Sequence, residues 1–271
     1  MGGEAMDCLD LGDVVLHYAD TGPRDAPSVV FANSLGTDFR LWDGVVPHLP
    51  AGLRVIRYDK RGHGLSSCPP APYTMGALIH DAERLLDALG VRDCVFVGLS
   101  IGGMIAQGLA AKRLDLVRAV VLSNTAPKIG TREMWQERIA MVETQGLAAM
   151  SDAIMGRWFS KPFREGPQVT PWRRMVETTP AAGYAGCSAA IAGSDFYAST
   201  AKLRLPALVI AGSEDGSTPP DLVGELAGLI PGSRFALIRG AGHLPCVEKP
   251  AEFLSHLTGF LTDIGHAGAT S

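Results

Sequence analysis

Apolar residues fall into two rhythms along this chain. Short continuous runs, "SVVFAN", "RVIRYD", "CVFVGL", "RAVVLSN", "ALVIAG" and "RFALIRG", consist mainly of Val, Ile, Leu, Phe and Ala. Continuous apolarity over so short a length predicts strands buried on both faces, as in a parallel sheet. Between them, "MGALIHDAERLLDALGV" and "GGMIAQGLAAKRLD" space their apolar residues for helices, the first ending at Gly90 as a C-terminal cap. "CLDLGDVVLHYAD", residues 8–20, alternates about a Gly-Asp turn, which predicts an antiparallel hairpin. Strands alternating with helices give an α/β fold with crossover connections and a mostly parallel central sheet.

One region breaks the rhythm. From Pro127 to Thr200 no buried-strand run occurs, while Trp135, Trp158, Trp172, Phe159 and Phe163 gather among helical patterns such as "REMWQERIAMVETQGLAAMSDAIMGRWF". This predicts a helical cap at 127–200, inserted between two core parts at 1–126 and 201–265, with a frayed tail at 266–271. Apolar residues at 46% and charged residues at 19% suit one large core and exclude disorder. A net charge of −4, with no basic run, argues against nucleic acid or a membrane surface as partner. Five scattered cysteines without a C-x-x-C pair read as reduced packing thiols rather than a disulfide framework or zinc site. With no signal pattern and no apolar stretch of membrane-spanning length, the expectation is a cytoplasmic protein.

The chemistry starts at Gly98-Leu99-Ser100-Ile101-Gly102, a G-x-S-x-G between a strand and a helix. A sharp turn there projects the serine Oγ from the sheet, and the helix start directs free N–H groups at developing negative charge. A serine needs a base. Among seven histidines, His243 in "RGAGHLPCVEKP" follows the last strand and is the choice; His63 in "YDKRGHGLSS" is the rival, but it precedes the serine. A nucleophile elbow of this kind has the chain order Ser, acid, His. Asp215 in "LVIAGSEDGSTPP" fits as the acid, with neighbouring Glu214 able to substitute. The backbone N–H groups of Ile101 and of Leu35, in the loop "FANSLG", are the expected oxyanion donors. Asp59, Arg61 and His63 read as a hydrogen-bonded turn bracing that loop. No metal or organic cofactor is called for.

From residue 8 to about 262 the chain resembles the α/β-hydrolase superfamily, and within it the 3-oxoadipate enol-lactonases. "GLSIGGM" and "YDKRGHG" carry the general resemblance, and "NSLGTDFRLWD" and "GYAGCSAAI" the specific one. The resemblance implies the α/β-hydrolase fold with a helical lid, and a small anionic partner: a five-membered enol lactone bearing an acetate arm, opened to 3-oxoadipate in bacterial aromatic catabolism. For such a substrate, Trp135, Ile139 and Val142 form one helix face with Arg138 at its border. Trp135 is expected to wall the pocket and Arg138 to meet the acetate carboxylate, with Asn33 a further substrate contact. The alternatives are another serine hydrolase on this scaffold, for small esters or carbon–carbon bonds, and a small-molecule receptor with little or no turnover.

Overall fold

The computed structural model describes residues 6–267. Eight strands form one sheet in the order β1-β2-β4-β3-β5-β6-β7-β8: β1 (Met6–Asp10), β2 (Val15–Thr21), β3 (Ser28–Ala32), β4 (Arg54–Tyr58), β5 (Cys94–Leu99), β6 (Val117–Ser123), β7 (Ala207–Gly212) and β8 (Arg234–Ile238). The β1–β2 hairpin is antiparallel, turned at Gly12 with φ +88°, and joins the rest antiparallel through β4. Every pairing from β4 to β8 is parallel. The apolar runs predicted as doubly buried strands are so for β3, β4, β5 and β7, whose residues are all buried. β6 falls short only at half-buried Arg118, and edge strand β8 departs further, with Arg234 and Phe235 exposed.

Helices α1 (Met75–Ala88), α2 (Ile101–Lys112), α8 (Pro220–Leu229) and α10 (Pro250–Asp263) accompany the sheet, with a single turn, α9 (Pro245–Glu248), before α10. Thr74 caps α1 by accepting from Ala77 N at 3.1 Å, and Gly90, at φ +65°, follows its end. The segment between β6 and β7 is helical throughout its ordered elements: α3 (Arg132–Trp158), α4 (Lys161–Arg164), α5 (Thr170–Thr178), α6 (Ala181–Ala192) and α7 (Tyr197–Thr200). α3 is interrupted at Gly146, whose φ of 76° and ψ of 168° belong to a region essentially confined to glycine.

The motif "GYAGCSAAI" has a packing reason. A Cβ on Gly183 would strike the backbone oxygen of Gly62, and one on Gly186 would lie 2.6 Å from the Tyr73 ring. The two glycines thus let α6 seat directly on the turn after β4. The tail departs from expectation: His266 is 3% exposed and its Nε2 donates to Ser28 O at 2.9 Å, tying this end to β3. Burial holds its imidazole below the ordinary proton affinity. Residues 268–271 of the expected tail lie outside the described residues.

Candidate active site

Parallel strands deliver their C-terminal ends to one edge of the sheet, and the chemistry-bearing residues gather there. Ser100 joins β5 to α2 with φ 59° and ψ −119°, a strained conformation for a side-chain-bearing residue. Its neighbours must be glycines. A Cβ on Gly98 would collide with Gly102 O, and one on Gly102 with Ala32 O. The elbow is pinned from β6 and the residues after it: Ser100 N donates to Ser123 O at 3.0 Å, and Thr125 Oγ1 donates to Ser100 O at 2.7 Å.

His243 Nδ1 lies 2.8 Å from Asp215 Oδ2, with both side chains almost wholly buried. Asp215 Oδ2 also accepts from Asn124 Nδ2 at 2.9 Å and Thr218 Oγ1 at 2.7 Å, while Oδ1 accepts from the Ser217 and Thr218 amides at 2.7 and 3.0 Å. Burial by itself raises the proton affinity of this carboxyl. The His243 imidazole and the Asn124 and Thr218 donors outweigh it and hold Asp215 below its ordinary value. Glu214 is exposed, and among the described residues its side chain makes no hydrogen bond to His243. His243 N donates to Trp158 O at 2.7 Å, locking the loop to the end of α3.

Ser34, Leu35, Ser100 and His243 line one cavity of about 130 Å³, roofed by Trp135, Arg138, Arg157, Trp158 and Tyr184. Ser34 Oγ lies 3.5 Å from His243 Nε2. Among the described residues, the amides of Leu35 and Ile101 have no protein acceptor. The loop carrying Leu35 is held from the turn after β4. Gly36 N donates to His63 Nε2 at 2.9 Å, Phe39 N to Asp59 Oδ1 at 2.8 Å, and Lys60 Nζ to Ser34 O at 2.6 Å. Burial and then the Lys60 charge keep His63 far below the usual histidine range, which leaves its Nε2 as an acceptor. Asp59 in turn receives His17 Nδ1 at 2.7 Å.

One expectation changes. Asn33 does not face the cavity: its Nδ2 donates to Tyr58 O at 2.9 Å and its Oδ1 accepts from Trp42 Nε1 at 2.8 Å. A buried amide takes the partners that satisfy both ends, and those lie on the core side. Arg157, which the sequence reading passed over, lines the cavity with Arg138. Arg138 stacks 4.7 Å over the Trp135 ring. Burial and the neighbouring Arg138 charge hold the Arg157 guanidinium below its ordinary proton affinity. Among the described residues neither arginine has a carboxylate partner, and no group of three or more His, Cys, Asp or Glu could hold a metal. Asn124 was also missed; only its position at the end of β6, in "SNTAP", could have pointed to it.

This strand order, the elbow on β5 and the buried imidazole–carboxylate pair define a class, and the chain belongs to it: residues 11–256 match the Alpha/beta hydrolase family. Within that family it is similar to 3-oxoadipate enol-lactonase 2 of Acinetobacter baylyi, 36% identical over 249 residues, covering 91% of this chain and 93% of that protein. The structure is similar to the enol-lactonase of Burkholderia xenovorans, with a TM-score of 0.91 and 36% identity over 94% of this chain and 100% of the other. It is equally similar to a hydrolase from Pseudomonas aeruginosa, with a TM-score of 0.91 and 37% identity over 96% and 99% of the two chains. No helix among the described residues is long and apolar enough to cross a membrane.

Proposed function

We propose that the protein opens 3-oxoadipate enol-lactone, or a lactone of the same shape and charge, by an acyl-serine mechanism. One observation carries this reading: Ser100, His243 and Leu35 share a small cavity with two arginines that, among the described residues, lack acidic partners. The first group suits acyl transfer, and the arginines suit an anion. The likeness to named enol-lactonases supports the same substrate.

His243 Nε2 takes the Ser100 proton as Oγ attacks the lactone carbonyl, while Asp215 holds Nδ1–H and steadies the imidazolium. The oxyanion accepts from Leu35 and Ile101 N–H. Collapse breaks the ring C–O bond, and the departing enol oxygen, still tethered to the acyl chain, takes the proton from His243. The enol becomes a ketone, which draws the ring opening forward. Water deprotonated by His243 then attacks the acyl-serine, and its second collapse returns the proton to Ser100 and frees 3-oxoadipate. A cavity of about 130 Å³ is of the order that holds a small ring. With the ring over Ser100, the acetate arm points to Arg138 and Arg157 beneath the cap. The pathway placement, aromatic catabolism in the cytoplasm, follows from this substrate.

The test is loss of enol-lactone absorbance with purified protein, run beside Ser100→Ala and p-nitrophenyl acetate. Turnover of the lactone that depends on Ser100 and far exceeds that of the ester is the expected result. Ester cleavage without lactone cleavage would retain the serine mechanism and overturn the substrate; no Ser100-dependent turnover of either would favour a receptor.

A further inference from the structure

Lys60 is a cation that the reaction above leaves unused. It stands in the turn after β4, only 3% exposed, and its Nζ reaches two backbone oxygens: Ser34 O at 2.6 Å and Thr37 O at 3.3 Å. Among the described residues no carboxylate lies within ion-pair distance of it. Asp59 is engaged by His17, and Asp38 by Arg40. A buried ammonium with carbonyl partners alone is expensive to hold and adds little to folding, so its retention points to another task.

The peptide it grips suggests that task. Ser34 C=O and Leu35 N–H belong to one planar trans unit and point in opposite directions. A donor drawing on Ser34 O therefore fixes where Leu35 N–H aims. That amide has no protein acceptor among the described residues, and Leu35 and Ser34 line the cavity with Ser100. Thr37 Oγ1, donating to the same Ser34 O at 2.9 Å, and His63, accepting from Gly36 N, hold the flanks of the loop.

We propose that Lys60 is a positioning residue for the oxyanion hole: its ammonium clamps the Ser34–Leu35 peptide, aims Leu35 N–H at the carbonyl under attack and polarises that amide into a stronger donor. The proposal rests on the serine mechanism above. It also carries a pH signature. Burial draws the amine down to about 8, against smaller opposing pulls from Cys187 on α6 and from Asp59 and Asp38. His63, the other titratable group bearing on it, stays neutral. The charged clamp is thus complete below about pH 8 and weakens as pH rises through that value. Stability moves the other way. The folded state holds this proton less tightly than the unfolded chain, so folding strengthens from about pH 8 towards the ordinary 10.5.

The experiment measures kcat, KM and Tm from pH 6.5 to 10 for wild type, Lys60→Met, Lys60→Arg and Ser100→Ala, on the enol-lactone and on p-nitrophenyl acetate. Lys60→Met is expected to lower kcat by roughly 10- to 100-fold, less than deleting a donor outright, with KM within about twofold and Tm undiminished. Wild-type kcat should fall above about pH 8; Lys60→Arg should recover part of the rate and lose that alkaline limb. Wild-type kcat in Lys60→Met overturns the proposal, as does a wild-type profile flat to pH 10. If Lys60→Met loses Tm together with kcat, the wild-type profile decides, a limb supporting the clamp and its absence removing it. Turnover surviving in Ser100→Ala overturns the serine mechanism itself, and the clamp with it.

Discussion

The floor and the roof of the cavity are built by different means. On the floor, Ser100, Leu35 and Ile101 are placed by backbone: strand ends, a strained elbow, and glycines at 98 and 102 where any Cβ would meet a backbone oxygen. On the roof, Trp135, Arg138 and Arg157 hang from α3, and their placement depends on side-chain packing and on how the cap seats. A site fixed by backbone tolerates almost no variation in sequence, whereas helices carrying side chains can be re-equipped without disturbing the fold. The floor should therefore govern the chemical step, and the roof the choice of substrate.

The hardest break of that comparison is Asp215→Asn. On the serine mechanism proposed above, it keeps the shape but removes the charge that orients and steadies His243, so kcat should fall about 10⁴-fold for lactone and simple ester alike. Glu214→Gln, one residue away and exposed, should change either rate by less than about twofold. Equal losses in the two variants would undo the assignment of the acid.

The roof is tested next. Arg138→Ala and Arg157→Ala should each raise KM for the enol-lactone by roughly 10- to 100-fold, the range for a charged hydrogen bond, and leave p-nitrophenyl acetate within about twofold. Parallel losses on the neutral ester would mean that the arginines organise the floor rather than select an anion.

That division also explains how far the sequence could be read. Buried parallel strands announce themselves as unbroken apolar runs, and the elbow announces itself because its neighbours can only be glycine. Chain order and position after β7 and β8 then pick out Asp215 and His243, which the fold brings within 2.8 Å of each other. What escaped were directions of loop side chains, which follow no period. Asn33 turns to Trp42 and Tyr58 instead of the cavity, and Asn124 reaches Asp215 across the end of the sheet. Arg157, in the last turn of a helix interrupted at Gly146, could not be given a face from helical spacing counted from Trp135. His266 was read as tail because a single buried contact to Ser28 O leaves no pattern.

The seam between floor and roof can be loosened directly. Gly183→Ala would drive a methyl into Gly62 O, and overpacking of this kind costs about 1–3 kcal/mol. Urea unfolding should report that loss. KM for the lactone should rise more than kcat falls, because α6 carries Tyr184 of the roof. A fall in kcat alone would show that the seam bears on the turn holding the Leu35 loop rather than on the cap.

The smallest effect belongs to Asn124, whose amide is one of several donors on Asp215. Its replacement must respect the backbone, since residue 124 lies at φ 48°, where an alanine would add strain unrelated to the hydrogen bond. Asn124→Gly removes the amide and keeps the conformation. Thr218 Oγ1 and the Ser217 and Thr218 amides remain, so the carboxylate stays ionised but is held less firmly. One neutral hydrogen bond to a charged group is worth about 1.5–3 kcal/mol when left unreplaced, and less where three donors persist. We expect kcat to drop about three- to tenfold with KM unchanged. Asp215, relieved of one influence that lowers its proton affinity, should also titrate at higher pH, which NMR of the carboxyl carbon would read. An unmoved Asp215 titration would mean that Asn124 serves only to tie β6 to the His243 loop through Gly242 O, which its Nδ2 also reaches at 3.2 Å.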